Sequence, residues 1–220
     1  MRGDKLIINE EHVRAARSIL GHLLPVILDF PERFVLTIAG ESGSGKSELS
    51  FALQPCLEEE YVRSVIVQQD DYFVYPPKTN AARRRVDINQ VGVSEVRLGL
   101  LDDNLEVGRH GHHHITKPLV IFDEDLVTEE ELLLDGVKVI IVDGTYTSLL
   151  QNVDRHIFID RTYVDTKETR KRRARELQDE HLERVLEIEH RIIAQHRALA
   201  DLIVTREYEV EEHERGGNGT

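Results

Sequence analysis

Phe34-Val35-Leu36-Thr37-Ile38-Ala39 runs directly into Gly40-Glu41-Ser42-Gly43-Ser44-Gly45-Lys46-Ser47. The first six residues are nearly continuous in apolar side chains, the pattern of a strand buried on both faces. The next eight match G-x-x-x-x-G-K-[ST] in full. Glycines in such a loop let the backbone wrap closely round phosphate oxygens with its N–H groups pointing inward. The pattern over 47–57 is helical, and a helix N-terminus at this point adds its partial positive charge. Lys46 is placed to reach the β- and γ-phosphates, and the Ser47 hydroxyl to ligate Mg²⁺. Chance produces such a match in about one chain in a hundred of this length, and the flanking strand and helix lower that further. The stretch therefore reads as a nucleoside-triphosphate site.

Outward from this loop, four more β-branched runs recur at 64–67, 137–142, 156–160 and 202–205. Helical patterns lie among them at 93–107 and 166–200, the latter breaking near 178–180. Ahead of the loop, Val13, Ala16, Ile19, Leu20, Leu23, Leu24 and Ile27 recur at three- and four-residue steps and predict an amphipathic helix that stops near Pro25. Strands alternating with helices predict an α/β fold: a three-layer α/β/α sandwich on a mainly parallel five-stranded sheet. The segment 118–122 reads as an extra edge strand. One domain spans 1–215, with an N-terminal helix in 1–30, a lid in 165–180 and a disordered tail at 216–220.

Composition narrows the class. The chain has 220 residues and a formal net charge of -13, so as a whole it repels nucleic acid and anionic membranes. A hydrophobic fraction of 40% supports a sizeable core. The single cysteine, Cys56, rules out an intramolecular disulfide and fits a reducing compartment. No apolar run is long enough to span a bilayer, and the start of the sequence is no signal peptide. The expectation is a soluble, cytoplasmic protein whose partner is a small-molecule acceptor, neither nucleic acid nor membrane, with homo-oligomerisation left open.

Three features refine the chemistry. The second strand ends in Gln69-Asp70-Asp71-Tyr72-Phe73. In open α/β sheets ligands bind outside the carboxyl ends of the strands, and a carboxylate there can take a proton from a substrate hydroxyl. The third strand ends in Asp143-Gly144-Thr145-Tyr146, placing a carboxylate to hold Mg²⁺ with the loop. Between 167 and 175 the chain carries Lys167, Arg170, Lys171, Arg172, Arg173 and Arg175. In so acidic a chain this reads as an arginine lid over the transferring phosphoryl group. A solvated helix face is the alternative.

These features, in this order, resemble the uridine kinase and phosphoribulokinase family of P-loop kinases. Gly40–Ser47 looks like its phosphate loop. Gln69-Asp70-Asp71-Tyr72-Phe73 looks like its Gln-Asp-x-[Tyr/Phe]-[Tyr/Phe] segment, which puts Asp70 on the catalytic base. Val142-Asp143-Gly144 resembles its Val-Glu-Gly strand end. Arg172-Arg173-Ala174-Arg175-Glu176 resembles its lid, one residue shorter, and Ala200-Asp201-Leu202-Ile203-Val204 resembles its final strand. The resemblance implies transfer of phosphate from ATP, with Mg²⁺, to a hydroxyl of a small metabolite such as a nucleoside, sugar or sugar phosphate. It implies catalytic roles for Asp70, Lys46, Arg172 and Arg175. Nucleotide contacts fall on Gly40, Glu41, Ser42, Gly43, Ser44, Gly45, Lys46, Ser47, Glu48 and Arg173. Metal contacts fall on Ser47 and Asp143. Asp71, Tyr72, Arg84, Lys117 and Tyr146 are the candidate acceptor contacts. Asp143 stands where Glu is usual, Glu48 where a second Thr is common, and no clean Asp-His-Pro substrate segment appears. Its nearest counterpart is 83–89.

His110, His112, His113 and His114 crowd one short segment. A polar loop explains them, and a metal site is the competing reading. The alternative function is accordingly a P-loop metallochaperone or regulatory NTPase. Against it, the [Asn/Thr]-Lys-x-Asp base-reading motif of GTPases is missing its Asp at Thr116-Lys117-Pro118-Leu119.

Overall fold

Along β1 (Phe34–Gly40) the side chains alternate between two separate cores. Phe34, Leu36 and Ile38 join Ile19 and Leu23 of α1 (Glu10–Asp29) and Leu49 and Leu53 of α2 (Lys46–Glu59). Val35 and Ala39 point the other way, toward Leu101 and Leu105 of a helix on the opposite face. Such two-sided burial is the physical reason the strand is apolar throughout. The structure, a computed structural model, describes residues 1–2, 6–173 and 179–214. The tail expected at 216–220 lies outside them.

The main sheet has six strands, in the order β2-β5-β1-β6-β7-β8. They are β2 (Ser64–Gln68), β5 (Val139–Gly144), β6 (Arg155–Ile159), β7 (Leu202–Val204) and β8 (Val210–Glu212) beside β1. The first five strands in that order run parallel, and β8 returns antiparallel to β7. The expected five-stranded sheet thus gains one strand, too short at three residues to show an alternating pattern. Helices cover both faces, giving the expected three layers.

Other differences have local causes. Helix α1 continues past Pro25 to Asp29, because Leu23 and Ile27 are anchored in the core and proline costs only one hydrogen bond so near the end. The helical pattern at 93–107 divides into a 3-10 turn, Val93–Glu95, and α4 (Leu98–Arg109). Segment 118–122 belongs largely to β3 (His114–Ile121), which pairs with β4 (Leu126–Leu133) in a separate two-stranded hairpin rather than edging the main sheet. A further helix, α3 (Pro77–Val86), occupies a region where the sequence pattern predicts no helix or strand. Pro77 opens it and Arg83, Arg84 and Arg85 close it, which complements the helix dipole.

The C-terminal helical pattern resolves into α5 (Lys167–Arg173) and α6 (Glu180–Ile193). Asp179 caps α6, its carboxylate accepting from Leu182 N at 2.9 Å. The break falls where the sequence places it. Among the described residues, no helix is long and apolar enough to cross a membrane.

Candidate active site

The Gly40–Ser47 loop joins the carboxyl end of β1 to α2, at the edge where an open parallel sheet places its ligands. Gly45 precedes α2 with φ 99°, a left-handed conformation that favours glycine. Lys46 is the first residue of the helix, and its Nζ donates to Glu41 O at 2.9 Å. That contact holds the ammonium over the concave side of the loop, where a polyphosphate would sit.

Next to β1, β5 carries Asp143 at the loop's level, paired in register with Ile38. Asp143 is buried and hydrogen-bonded to the Ser47 side chain. Burial raises its pKa to about 6, and the negative charge of Asp70 adds to this; Lys46 and Ser47 pull the other way. Its Oδ2 has no hydrogen-bond partner among the described residues. A buried carboxylate oxygen left without a donor is costly unless a cation or water meets it. Asp143, the Ser47 hydroxyl and nearby Asp70 form a hard oxygen donor set, which fits Mg²⁺.

Asp70 reaches this position through close packing of the Gln69 side chain on the backbone of Gly144. The 3-10 turn Gln69–Tyr72 packs so tightly on the end of β5 that a Cβ at Gly144 would collide with Gln69. Gln69 Oε1 then accepts from Tyr146 N at 2.7 Å and fixes the turn. In such a turn adjacent residues diverge. Asp70 faces a cleft of about 450 Å³ whose floor includes Ser42, Gly43 and Thr145. The cleft runs between α3, contributing Asn80 and Arg84, and the apolar face of α6, contributing Leu182 and Val185.

Glu41 ties the loop to its surroundings. Its carboxylate accepts from Tyr163 N at 2.6 Å and lies 2.6 Å from His190 Nδ1 on α6. Glu48 is buried in the first turn of α2. The start of the basic run covers the loop. Thr166 Oγ1 donates to Ser42 O at 3.0 Å, and the stem of Arg170 packs against Gly43. Arg170 Nη1 donates to Thr166 Oγ1 at 2.7 Å and to Tyr163 O. Among the described arginine side chains of the run, Arg170 is the one set against the phosphate loop, whereas sequence reasoning singled out Arg172, Arg173 and Arg175. Arg175 lies outside the described residues, as do the side chains of Arg172 and Arg173.

Four expected acceptor contacts are turned away from the cleft. Asp71 and Lys117 are 2% and 4% exposed and pair with each other at 2.7 Å. Lys117 also meets Glu130 at 2.8 Å, and Asp71 Oδ1 accepts from Val120 N at 2.9 Å. They therefore brace the β3–β4 hairpin against the Asp70 turn. Tyr72 is in the core, its hydroxyl accepting from Asn104 Nδ2 at 2.9 Å, and burial pushes its pKa well up. Tyr146 is equally buried and its pKa is likewise raised. The fifth, Arg84, does line the cleft. Its guanidinium is already held by Glu95 at 2.6 and 2.9 Å and by Glu189 at 2.9 Å.

The cleft walls were the part missed from sequence. Leu182, Val185 and Leu186 show a clear helical stripe, but periodicity cannot tell a core face from a cleft face. The histidines diverge instead of converging: His110 lies 3.3 Å from Glu32 and His113 2.5 Å from Asp135, both exposed.

No family model matches the chain. Among curated proteins it is 27% identical over 194 residues to the bifunctional alpha-galactosidase/sucrose kinase of Mediterraneibacter gnavus. The match covers 82% of this chain and 21% of that protein, so the chain spans about a fifth of its relative's length. Among solved structures, D-glycerate 3-kinase from Cryptococcus neoformans matches with a TM-score of 0.61 at 14% identity, over 93% of this chain and 100% of that one. Phosphoribulokinase from Rhodobacter spheroides matches at 0.60 and 14% identity, over 79% and 70%. The chain has the fold of the uridine kinase and phosphoribulokinase-like P-loop kinases.

Proposed function

We propose that this chain is a small-molecule kinase, which transfers the γ-phosphoryl group of ATP to a hydroxyl of a small metabolite. The observation that carries the reading is the placement of Asp70. It faces the cleft beside the Gly40–Ser47 loop, while its neighbour Asp71 is locked into an ion pair behind it. In the proposed reaction the acceptor oxygen bonds to the γ-phosphorus, its proton passes to Asp70, and ADP leaves with the bridging oxygen. Lys46 and Arg170 stabilise charge on the phosphoryl oxygens. Ser47 and Asp143 would hold Mg²⁺, with Asp70 close by. Bound there, Mg²⁺ neutralises charge on the β- and γ-phosphates.

The acceptor class to test first is a sugar. The relative from Mediterraneibacter gnavus is named in part as a sucrose kinase. Within this cleft, Arg84 is neutralised by two carboxylates, which disfavours it as an anion receptor and favours an acceptor rich in hydroxyls. The competing metallochaperone reading finds no support in the diverging histidines.

A coupled ADP-release screen tests the proposal, run with ATP and Mg²⁺ against sucrose, fructose, glycerate, nucleosides and sugar phosphates. Acceptor-dependent release is expected for at least one sugar. Release that never depends on an added acceptor, together with no ATP binding by titration calorimetry, overturns it.

A further inference from the structure

His12 and Tyr208 are 196 residues apart in sequence and meet behind the phosphate loop. His12 lies in the first turn of α1, and Tyr208 in the turn between β7 and β8. The protonation pattern of this contact is set by its neighbours. His12 Nδ1 accepts from Asn9 N at 3.1 Å, so the hydrogen of the neutral ring sits on Nε2. Nε2 then donates to Tyr208 Oη at 3.1 Å. Tyr208 Oη in turn donates to Ser44 O at 2.8 Å. Arg161 Nη1 donates to the same hydroxyl at 2.8 Å, with its guanidinium 5.1 Å from the ring centre. The hydroxyl has one hydrogen to give and two lone pairs to fill, and all three are used.

Ser44 is the second residue before α2, in the part of the loop that must present N–H groups to phosphate. If the N–H groups of a tight loop face the ligand, its carbonyls face outward into protein. A buried carbonyl there requires a donor. Tyr208 supplies it. The contact also leaves no room for a side chain at Gly45, where a Cβ would collide with Tyr208 Oη and come within 3.0 Å of His12 Nε2. Tyr208 itself is 3% exposed and sits at φ 60°, an uncommon conformation for a bulky residue. Such a conformation persists where the surroundings over-determine it.

We propose that Tyr208, oriented by His12, is a positioning residue that holds the Ser44–Gly45 peptide in its phosphate-receiving orientation before a nucleotide arrives. The loop is then prepared from outside its own motif, and binding does not have to supply the cost of ordering it. The nucleotide arm of the proposal rests on the phosphoryl-transfer reading above; the ordering of the empty loop does not.

The test compares the full chain with Tyr208→Phe, His12→Ala and His12→Gln. Amide hydrogen exchange is followed over residues 40–47 without nucleotide, and affinity for ATP with Mg²⁺ is measured by titration calorimetry. Tyr208→Phe keeps the ring and removes the donor. It is expected to speed loop exchange about tenfold and weaken ATP about tenfold, while exchange in β1 and β5 stays as in the unaltered chain. His12→Ala should move both readouts in the same direction by less. His12→Gln should recover most of that loss, because its amide nitrogen can donate to Tyr208 Oη. Unchanged loop exchange, unchanged ATP affinity, exchange rising equally through β1 and β5, or a glutamine no better than alanine would each overturn the proposal. If the unaltered chain binds no ATP, the phosphoryl-transfer reading falls, and the exchange comparison alone decides the brace.

Discussion

Lys117 Nζ lies 2.7 Å from Asp71 Oδ2, with both side chains almost wholly buried. The pair joins the hairpin strand β3 to the turn that aims Asp70 at the cleft, so one carboxylate of an adjacent pair serves structure while the other faces the cleft. Their substitutions should therefore separate. Asp71→Asn leaves Lys117 with Glu130 as its remaining carboxylate, and breaking a buried pair costs about 3–5 kcal/mol. The expected result is a large drop in the urea midpoint. A loss of turnover with unaltered stability would place Asp71, not Asp70, at the reacting hydroxyl.

Asp70→Asn should show the reverse behaviour. Removing a general base costs ~10²–10⁴-fold in rate. With an acceptor found by the ADP-release screen, kcat should fall by that order, while ATP affinity and the unfolding midpoint stay close to those of the unaltered chain. A loss of less than ~10-fold would remove Asp70 from the proposed proton transfer.

Lys46→Ala should abolish phosphoryl transfer, because the phosphates lose the charge partner that the loop holds over them. The fold should survive, since Lys46 is only half-buried and stands at the loop–helix junction rather than in either core. Circular dichroism and turnover measured together check this; normal turnover would defeat the kinase assignment.

Arg170→Ala should lower kcat by ~10²-fold or more, and more than it raises KM for ATP, as expected of charge stabilisation at the transition state. Arg172→Ala and Arg175→Ala carry the same expectation from the sequence. Comparing the three by steady-state kinetics identifies which arginine faces the phosphoryl group. Normal kcat in all three would reduce the basic run to a solvated helix face.

Asp143 provides a pH test with a definite sign. Its pKa rises from 3.8 in the unfolded chain to about 6 in the fold, chiefly through burial. Between these values the native chain holds a proton that the unfolded chain has released. Its contribution to stability therefore falls as pH rises through that window, by on the order of 2–3 kcal/mol. Asp143→Asn removes this penalty, so the variant should gain stability relative to the unaltered chain between pH 4 and 7 without added metal. Urea unfolding at both ends of the window measures it. A constant difference across the window would mean that Asp143 ionises as an exposed carboxylate does.

How much of this was legible beforehand depended on whether a residue acts through local pattern or distant contact. The strand-loop-helix unit at 34–57 declares itself, because glycine placement and apolar continuity are local consequences of wrapping phosphate and being buried twice. Asp70 and Asp143 were legible from their places at strand ends. Lys117 was misread because its partner, Asp71, is 46 residues away and nothing in either neighbourhood shows that they meet. Helix α3 and strand β4 were missed because α3 is mostly polar and basic and β4 carries Thr128-Glu129-Glu130-Glu131 at its centre, leaving little periodic signal in either. Tyr208 carried no signal at all: its importance lies in one hydroxyl reaching a carbonyl 164 residues away.

That separation has a consequence for how the chain matures. The phosphate loop leaves a ribosome early, but its brace arrives only with the strand pair β7–β8. A nascent chain extended only to residue 200 would already carry the complete motif and still lack the hydroxyl that meets Ser44. On the proposed role of Tyr208, nucleotide binds such intermediates about tenfold more weakly than it binds a chain that has gained β7–β8. The order in which residues are joined thus biases ATP toward chains that already extend through β8.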